Sequence, residues 1–410
     1  MRILVVGSGG REHALAWKLS EEHEVVCAGG NPGIAVDVAV APADDLVTLA
    51  KGFDLVVVGP EDPLVDGLGD RLRAAGIACY GPGADGARLE ASKAFSKATM
   101  AAAGVPTADA RTFDDSDGAV AYARDRFAEG RRVVVKASGN ALGKGVVVCE
   151  GFEEAERAVG TMMRDRAYGA AGDTVVIEDR LVGPEFSLLT IVGDGGFFSL
   201  PVAQDHKRAF DGDRGPNTGG MGTVSPCGWV SEDLVRETEA RVVAPILAEL
   251  RRQGVSYRGT LFSGLMVQDG TPYCLEYNVR FGDPETQSVM LRLGRGLGDA
   301  LYAAATGAPI PPLETLDNAA VTVVVASGGY PGAYAKGLPI TVGALPEGAK
   351  LFHAGTALRD GGLVTSGGRV IGASASAPTM AEARRLAYAA AAAVRFEGAF
   401  IRGDIGANVA

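Results

Sequence analysis

Short apolar runs that end in glycine-rich turns dominate the first hundred residues of this 410-residue chain, and they restrict its fold most strongly. The run at residues 2–6 precedes Gly7-Ser-Gly-Gly10, after which residues 11–19 have helical spacing. Two further runs, at 24–28 and 55–58, also end in glycine and proline turns before helical segments. This order predicts a doubly wound half-domain with a parallel sheet, complete by about residue 100.

The rest of the chain mixes strands and helices without a repeat. A smaller unit at 132–185 contains three predicted strands, a glycine loop and an amphipathic helix. Beyond it we predict four strands and two helices, near 231–253 and 284–293, with Asp283 capping the second. The tail from about residue 319 is rich in strands and closes on a helix opened by the capping box Thr379-Met-Ala-Glu382. The fold class is therefore α/β.

The composition limits the partners of the chain. A formal net charge of -11 argues against non-specific binding to nucleic acid or anionic membranes, so local charge must hold any phosphate ligand. The five cysteines are scattered and form no C-x-x-C pair, which indicates neither a disulfide framework nor a zinc site. The chain opens directly on a strand and contains no apolar run of about 20 residues. We therefore expect a soluble protein of the reducing cytoplasm.

A polar face is predicted on the strand that begins at Cys274. Side chains alternate along a strand, so Glu276, Asn278 and Arg280 point one way. The opposite face consists of apolar side chains, namely Leu275, Tyr277, Val279 and Phe281. Oxygen ligands suit magnesium and a guanidinium fork suits phosphate or carboxylate, so the polar face predicts adjacent sites for a divalent cation and an anion.

The first glycine loop, Gly7-Ser-Gly-Gly10, leaves three interpretations open. Glycines before a helix allow phosphate to approach the helix N-terminus, as in dinucleotide-binding folds. However, Glu12 stands where the third fingerprint glycine would fall, and the second strand ends in Gly29-Gly30 instead of an acid. The loop is a NAD or FAD site, a structural turn, or a site for another phosphorylated ligand; its position at the carboxyl end of the sheet favours the last.

The second glycine loop runs from Ser138 to Gly145 between two predicted strands. A Walker A lysine opens a helix, so this placement excludes that motif. A glycine-rich hairpin that carries Lys144 can instead close over nucleotide phosphates as a lid, while Lys136 supplies a fixed charge. An ordinary surface hairpin is the alternative.

The third loop, residues 204–222, is long and almost devoid of apolar side chains, which is typical of functional loops. Its basic side chains give it capacity to bind anions: His206, Lys207, Arg208 and Arg214. Asp211 and Asp213 could orient an amine. We assign His206 no role in proton transfer.

The chain resembles the ATP-grasp superfamily, and within it the phosphoribosylamine–glycine ligases. The resemblance rests on these loops together with the segment Leu275-Glu-Tyr-Asn-Val-Arg-Phe-Gly-Asp-Pro-Glu-Thr-Gln287. The resemblance spans the chain through further motifs: Gly7-Ser-Gly-Gly-Arg-Glu-His13, Asn31-Pro-Gly33, Gly59-Pro-Glu-Asp-Pro-Leu64, Ser92-Lys93, Asn217-Thr-Gly-Gly-Met-Gly222 and Arg402-Gly-Asp-Ile-Gly406. One departure lies in the lid, where Ser138 and Asn140 replace the aspartate and the leucine of the usual Ala-Asp-Gly-Leu-Ala-Ala-Gly-Lys-Gly.

The resemblance implies an activity and a domain plan. The implied reaction is the second step of purine synthesis, in which ATP drives the ligation of glycine to 5-phosphoribosylamine through glycyl phosphate. The implied domains are a Rossmann-like domain at 1–104, an ATP-grasp domain at 105–318 with a lid at about 112–185, and an α+β domain at 319–410. No enzyme nucleophile is needed, so catalysis would rest on positioning and charge neutralisation.

The resemblance also implies a set of site residues. Glu276 and Asn278 would hold Mg²⁺ or Mn²⁺. The predicted catalytic set is Arg280, Lys144, Asp205 and His206. The predicted nucleotide site comprises Lys93, Lys136, Gly139, Gly143, Lys144, Gly145, Glu178, Asp179, Leu181 and Glu185. The predicted site for the other substrates comprises Gly9, Gly10, Asn31, Pro32, Gly33, Lys207, Asp211, Asp213, Asn217, Thr218, Gly219, Arg280 and Asp283.

Other functions remain open from the sequence. They are another carboxylate–amine ligase, a biotin-dependent carboxylase subunit with a biotin-carrier partner, a non-catalytic nucleotide-binding module, and a dehydrogenase. For the ligase, the expected partners are glycine, phosphoribosylamine and ATP, with no nucleic acid and no membrane. We expect a monomer that associates weakly with other enzymes of purine synthesis.

Overall fold

A parallel five-stranded sheet forms the N-terminal part of the computed structural model, which describes residues 1–141 and 145–407. Its strands are β1 (Arg2–Gly7), β2 (Glu24–Gly29), β3 (Ala39–Ala41), β4 (Leu55–Val58) and β5 (Cys79–Tyr80), in the order β3-β2-β1-β4-β5. Its helices are α1 (Gly10–Ser20), α2 (Ile34–Asp37), α3 (Leu46–Ala50), α4 (Glu61–Val65), α5 (Leu68–Ala74), α6 (Ala84–Ala91) and α7 (Lys93–Ala103). The central strands β1 and β4 are buried, which confirms the predicted doubly wound half-domain.

Two antiparallel sheets follow. The middle strands are β6 (Ala110–Phe113), β7 (Val133–Ala137), β8 (Val146–Cys149), β9 (Val175–Asp179), β10 (Glu185–Gly193), β11 (Gly196–Ser199), β12 (Gln204–Asp205), β13 (Arg208–Phe210), β14 (Arg214–Asn217), β15 (Gly222–Ser225), β16 (Gly259–Gln268) and β17 (Thr271–Asn278). One sheet has the order β6-β9-β7-β8 and the other β11-β10-β16-β17. The first sheet carries the glycine loop between β7 and β8, as predicted. The second ends on β17, which carries the polar face.

The helices of this middle part pack in different places. They are α8 (Ser116–Ala128), α9 (Phe152–Val159), α10 (Glu232–Thr238), α11 (Ala244–Arg252), α12 (Glu285–Met290) and α13 (Leu297–Thr306). Helix α12, for example, contacts α1 and the sheet that contains β15. The predicted helix at 231–253 is interrupted by a π-helical turn at Glu239–Val243, which separates α10 from α11. A second π turn, Gly160–Arg164, extends α9, and a 3₁₀ turn spans Gly169–Gly172.

The tail forms a strand-rich unit around a third sheet. Its elements are β18 (Ala319–Ala326), β19 (Thr341–Val342), β20 (Ala349–His353), β21 (Thr356–Arg359), β22 (Gly362–Thr365), β23 (Arg369–Ala377), α14 (Met380–Ala393) and β24 (Val394–Arg395). The sheet order is β12-β15-β18-β23-β20, so two strands that flank the third loop belong to the sheet of the tail. That sheet therefore anchors both ends of the loop. The pairs β13-β14, β19-β24 and β21-β22 form small hairpins or bridges.

Two cap predictions have different outcomes. Thr379 caps α14, because its side chain accepts the backbone N–H of Glu382, as expected. The prediction for Asp283 is wrong: Pro284 occupies the cap position of α12, and the Asp283 carboxylate instead accepts a hydrogen bond from Gln287 Nε2 at 2.8 Å.

Over the described ranges, no helix is both long and apolar enough to cross a bilayer.

Candidate active site

The predicted polar face is present, but the strand β17 carries only Glu276 and Asn278 of it, Arg280 lies in the bend that follows, and a bulge modifies the strand. Glu276, Asn278 and Arg280 are partly exposed, whereas Tyr277 and Val279 are buried. The register against β16 shifts between Gly264 and Leu265, opposite Leu275. Strict alternation would place Cys274 on the polar face; the bulge lets it join the same apolar cluster as Tyr277 and leaves Leu275 only partly buried.

Glu276 lies in a field of positive charge. Burial alone would raise the pKa of this carboxyl group, but Lys207, Lys136 and Lys93 outweigh burial and hold the pKa below its usual value. Arg280 contributes in the same direction. Asn278 Oδ1 accepts a hydrogen bond from Arg280 Nη2 at 3.4 Å. One carboxylate and one amide oxygen thus face a group of cations, an arrangement that suits a metal ion shared with an anion.

Glu178 is buried between two lysines on the neighbouring sheet. Its carboxylate pairs with Lys136 and, at 2.6 Å, with Lys97 Nζ. Burial lowers the pKa of Lys97, whereas at Lys136 the carboxylates of Glu178 and Glu276 outweigh burial and raise the pKa. The sequence prediction missed Lys97, although it follows Lys93 by four residues and therefore lies on the same face of α7.

The base of the glycine loop docks on the N-terminus of α7. Ser138 Oγ accepts the backbone N–H of Ala94 at 3.1 Å, and the Ser138 carbonyl accepts that of Lys93 at 2.8 Å. Lys93 Nζ in turn donates to the carbonyl of Gly139 at 3.3 Å. The loop closes where Gly145 accepts from the Ala137 N–H at 2.8 Å. The predicted Gly143 and Lys144 lie outside the described residues.

The strand β9 carries the rest of the predicted nucleotide site. Asp179 points away from Glu178 and pairs with Arg126 and Arg131, each at 2.5 Å, so its carboxylate is committed to a structural pair. Leu181 follows the strand end and is half-buried. Glu185 opens β10, and its carboxylate lies 3.4 Å from Lys207 Nζ.

Arg280 is held by two acids that the sequence prediction missed, both from the N-terminal sheet domain. Its guanidinium pairs with Glu90 at 2.9 Å and lies 3.5 Å from Glu61. Glu90 also accepts the Val279 N–H at 2.7 Å. Glu61 Oε2 additionally accepts a hydrogen bond from Arg11 Nη2 at 3.3 Å. The phosphate-type ligand predicted for Arg280 must therefore compete with these carboxylates.

The first glycine loop is filled by a side chain. Glu12 accepts the Gly9 N–H at 2.6 Å and a hydrogen bond from Arg11 Nε at 2.6 Å. A Cβ atom added to Gly59 would lie 2.2 Å from Glu12 Oε1, and one added to Gly7 would lie 2.5 Å from Glu12 Cγ. Glycine is needed at both positions because the acid occupies the space. This carboxylate also stands where a dinucleotide pyrophosphate would bind, which disfavours that interpretation.

Gly10 and Asp283, both predicted for the substrate site, are adjacent. A Cβ atom on Gly10 would lie 3.5 Å from Asp283 Oδ1. Arg369, which the sequence prediction missed, lies 3.7 Å from the Asp283 carboxylate and donates to the Asp283 carbonyl at 2.6 Å. Burial would raise the pKa of Asp283, but Arg369 and Arg11 lower it.

The predicted turn at Asn31, Pro32 and Gly33 lies between the first and last domains. The Asn31 amide donates to the carbonyls of Ser8 and His353, both at 2.8 Å. Its Oδ1 accepts the Gly33 N–H at 2.9 Å. The hydrogen-bonding capacity of Asn31 is thus directed at the backbone, where it shapes the wall of the site.

Two acids, the half-buried Asp205 and the buried Glu285, lie near the start of the third loop. Burial and the nearby Glu285 raise the pKa of Asp205, and burial also raises that of Glu285. Ser187 Oγ donates to Glu285 at 3.2 Å, while Asp205 Oδ1 has no hydrogen-bond partner among the described residues. Desolvation would lower the pKa of Lys207, but Glu185, Glu276 and Asp205 raise it. Lys207 thus connects this acidic pair to the polar face of β17.

The far part of the third loop is tied to the C-terminal segment. Asp211 accepts the Gly403 N–H at 2.7 Å, and Asp213 pairs with Arg402 at 2.9 Å. Both acids contact this segment, and their role as ligands of an amine stays a prediction. His206 Nε2 accepts the Gly406 N–H at 3.4 Å, and burial and Arg402 lower its pKa.

The remaining loop residues turn the chain back toward the site. Thr218 Oγ1 donates to the Lys207 carbonyl at 2.9 Å, and the Gly219 carbonyl accepts from Arg369 at 2.6 Å. Asn217 ends β14 opposite Arg208. The five cysteines are free and buried.

The donor set fits a divalent cation that takes further ligands from substrate. Among the described residues, no group of three or more His, Cys, Asp or Glu side chains is arranged to bind a metal. Glu276 and Asn278 would leave most coordination positions to phosphate oxygens and water, which is typical of magnesium at nucleotide sites. The surrounding lysines and arginines can neutralise a transferring phosphoryl group.

Three family models match successive parts of the chain. They describe the N domain (residues 1–90), the ATP-grasp (A) domain (91–286) and the C domain (320–408) of phosphoribosylglycinamide synthetase. A phosphoribosylamine–glycine ligase of Rhizobium meliloti is 46% identical, over 99% of this chain and 98% of the relative. A trifunctional purine biosynthetic protein of Homo sapiens is 42% identical over 99% of this chain, which spans 42% of that protein.

Solved structures share the fold. The crystal structure of phosphoribosylamine–glycine ligase from Thermotoga maritima matches with a TM-score of 0.88 and 36% identity, covering 99% of this chain and all of that one. The biotin carboxylase domain of Hydrogenobacter thermophilus 2-oxoglutarate carboxylase matches with a TM-score of 0.72 and 17% identity, over 98% and 91% of the two chains. The ATP-grasp fold and the mixed α/β class are thereby confirmed.

Proposed function

Since this chain belongs to the phosphoribosylglycinamide synthetase family, we propose that its phosphoryl transfer takes place on the polar face of β17, between the glycine loop and the third loop. The chain catalyses the ATP-dependent ligation of glycine to phosphoribosylamine in purine biosynthesis. It uses ATP and a divalent metal. The observation that carries the proposal is the position of Glu276 among Lys207, Lys136 and Lys93.

The chemistry has two steps. A carboxylate oxygen of glycine attacks the γ-phosphorus of ATP, and the bond from that phosphorus to the bridging oxygen breaks, giving glycyl phosphate and ADP. The amine nitrogen of phosphoribosylamine then attacks the glycyl carbonyl carbon, the bond to phosphate breaks, and the nitrogen loses a proton. Lys136, Lys207 and Arg280 neutralise charge on the moving phosphoryl group. Closure of the glycine loop would keep water from the acyl phosphate.

The residue roles extend this assignment. Glu276 and Asn278 would hold Mg²⁺ or Mn²⁺, which when bound neutralises charge on the β- and γ-phosphates. Lys93 and Lys136 bind nucleotide phosphates, Glu178 to Leu181 contacts the adenine edge, and Glu185 accepts from the ribose. Gly9, Gly10, the Asn31 turn and Asp283 form the phosphoribosylamine side. The domain boundaries at 104 and 318 belong to the same proposal.

An ADP-release assay that omits glycine and phosphoribosylamine in turn tests the reaction. ADP release that requires glycine supports it, and release that requires bicarbonate would select a carboxylase instead. Glu276→Ala should abolish glycine-dependent ADP release; unchanged release would refute the metal assignment. Arg280→Ala should lower kcat more than it changes the KM for ATP, whereas an equal loss in both would make Arg280 a ground-state binder.

The cellular compartment and the protein partners of the chain are also part of the proposal. The five free, buried cysteines favour a reducing compartment such as the cytoplasm. Relatives from Gallus gallus and Homo sapiens are trifunctional purine biosynthetic proteins. We therefore propose that this chain, expected to be monomeric, associates weakly with other enzymes of the same synthesis. Cross-linking followed by mass spectrometry would test this, because no purine enzyme among the products would contradict it.

A further inference from the structure

One carboxylate oxygen links the two halves of the site. Glu61 Oε2 accepts a hydrogen bond from Arg11 Nη2 at 3.3 Å and also lies 3.5 Å from Arg280 Nε. Arg11 follows Gly9 and Gly10 on the phosphoribosylamine side, whereas Arg280 lies on the phosphoryl-transfer side. All three charged side chains are 13–17% exposed, so water screens their interaction only weakly.

The guanidinium of Arg280 is incompletely bound in this arrangement. Its Nη2 is paired with Glu90, but its Nε is shielded from solvent and has no hydrogen-bond partner in the described part of the chain. Glu61 is near enough to serve as acceptor, yet its oxygen is shared with Arg11. A buried donor without an acceptor is unfavourable, so any event that frees Glu61 from Arg11 favours a full Glu61–Arg280 hydrogen bond.

Binding of phosphoribosylamine would free Glu61 in this way. This substrate carries a phosphate group, and Arg11 lies on the side of the site where phosphoribosylamine is proposed to bind. Arg11 Nη1 also donates to the Phe281 carbonyl at 3.2 Å, directly after Arg280 in the chain. Burial opposes the charge of Arg11, but Glu12 and Glu61 raise its pKa, so it stays cationic and able to bind an anion.

We propose that Glu61 is a positioning residue that makes phosphoryl transfer to glycine depend on bound phosphoribosylamine. The substrate phosphate draws Arg11 away, Glu61 then binds Arg280 Nε, and the fixed guanidinium stabilises the transferring phosphoryl group. The inference rests on the proposed role of Arg280. Its benefit is chemical: glycyl phosphate, which water destroys, forms mainly when its amine acceptor is present.

The test is the ratio of glycine-dependent ADP release with and without phosphoribosylamine, supplied as ribose 5-phosphate with ammonia. Wild type should be stimulated, and Glu61→Gln should lower the stimulation by at least about fivefold, the smallest coupling usual between linked sites. Arg11→Lys, which keeps the charge but loses the fork, should act in the same direction. Asp66→Asn, on an exposed residue beside α4, is the matched control and should keep the wild-type ratio.

The variant Glu90→Gln shows how the two rates change when Arg280 merely loses a supporting contact, without any change in the coupling between the two sides of the site. Glu90 binds both Val279 N–H and Arg280, so its loss should lower the two rates by one common factor and leave the ratio unchanged. The proposal is overturned if wild type shows no stimulation, if Glu61→Gln keeps it, or if Glu61→Gln only lowers both rates equally. If ADP release by the wild type does not require glycine, the proposed ligation reaction is refuted, which is a separate conclusion from the role of Glu61.

Discussion

Lys97 Nζ lies 2.6 Å from the carboxylate of Glu178, with both side chains at most 10% exposed. Glu178 also pairs with Lys136, so one buried acid orients two lysines beneath the nucleotide side of the site. A desolvated charge without a partner raises the free energy of the folded state. The stability of the fold therefore depends on the ion pairs among these three side chains.

Lys97→Met should therefore destabilise the protein and weaken ATP binding. Glu178 keeps Lys136 as a partner, so we expect a loss of about 1–3 kcal/mol in the free energy of unfolding rather than the full cost of an orphaned charge. The KM for ATP should rise as Lys136 and Glu178 shift. Urea titration and steady-state kinetics provide the measurements.

The control for Lys97→Met is Arg385→Ala, which removes an ion pair of 2.7 Å with Glu382 on the exposed face of α14. Exposed pairs contribute little, so its effect should stay within about 0.5 kcal/mol. Equal losses of unfolding free energy in the two variants would show that the buried ion pairs of Glu178 contribute no more to stability than an exposed pair does.

A histidine pair between the first and last domains should make stability depend on pH. His353 N–H donates to His13 Nδ1 at 2.7 Å, so His13 donates through Nε2 to Asp37 at 2.9 Å. Burial lowers the pKa of His353 to about 4 and also lowers that of His13. Desolvation would raise the pKa of Asp37, but His13 and Lys350 bring it to about 2. The folded state thus holds His353 neutral beside the charged Lys350.

Between pH 6.5 and about 4 the unfolded chain binds a proton at His353 that the folded chain does not. Stability therefore rises with pH across this window and is lost as pH falls, by about 3 kcal/mol in total. His353→Gln removes the titrating group and should flatten the slope of the unfolding free energy in the same window. Urea titrations at several pH values check this, and an unchanged slope in the variant would assign the effect to other groups.

Local patterns predicted the polar face, but not what surrounds it. Alternation along β17 correctly places Glu276 and Asn278, because side-chain direction within a strand depends only on neighbouring residues; Arg280 lies in a bend after the strand has ended at Asn278. The bulge at Leu275 depends on the register with β16, which no pattern within β17 encodes. Likewise, Glu90 meets Val279 across 189 positions of sequence. Lys97 could have been found from its spacing to Lys93, whereas Glu61 and Glu90 could not be paired with Arg280 without the fold.

Ser138 should act as a second acceptor at the start of α7. Its Oγ accepts the Ala94 N–H at 3.1 Å, next to the cap made by Ser92, which accepts the Phe95 N–H at 3.2 Å. Ser138→Ala should cost about 1–2 kcal/mol, the usual value for a lost helix cap. Ser138→Asp restores the aspartate typical of related lids, and its charge near a helix N-terminus should preserve stability. Thermal unfolding separates the two, and equal melting temperatures for both variants would exclude this role.

Arg402 should hold the third loop in place for the substrates. Its side chain is 1% exposed, pairs with Asp404 at 2.7 Å and donates to the Arg208 carbonyl at 3.0 Å. Arg402→Met leaves Asp404 without a cationic partner, with only the Gly212 N–H still donating to it, so we expect a loss of about 2–4 kcal/mol in the free energy of unfolding. The KM for glycine and phosphoribosylamine should rise more than that for ATP, because Lys207 lies on the same loop.

Asp213→Asn is the matched control for Arg402→Met, since it removes the other end of the Arg402 pair. The Asp213 carboxylate is 76% exposed, so its loss should cost less than about 1 kcal/mol. Its kinetic constants should stay close to those of wild type, because Asp213 faces Arg402 and not the polar face of β17. A large rise in the KM for phosphoribosylamine in Asp213→Asn would instead support Asp213 as a substrate ligand and require the loop to change its contacts when substrate binds.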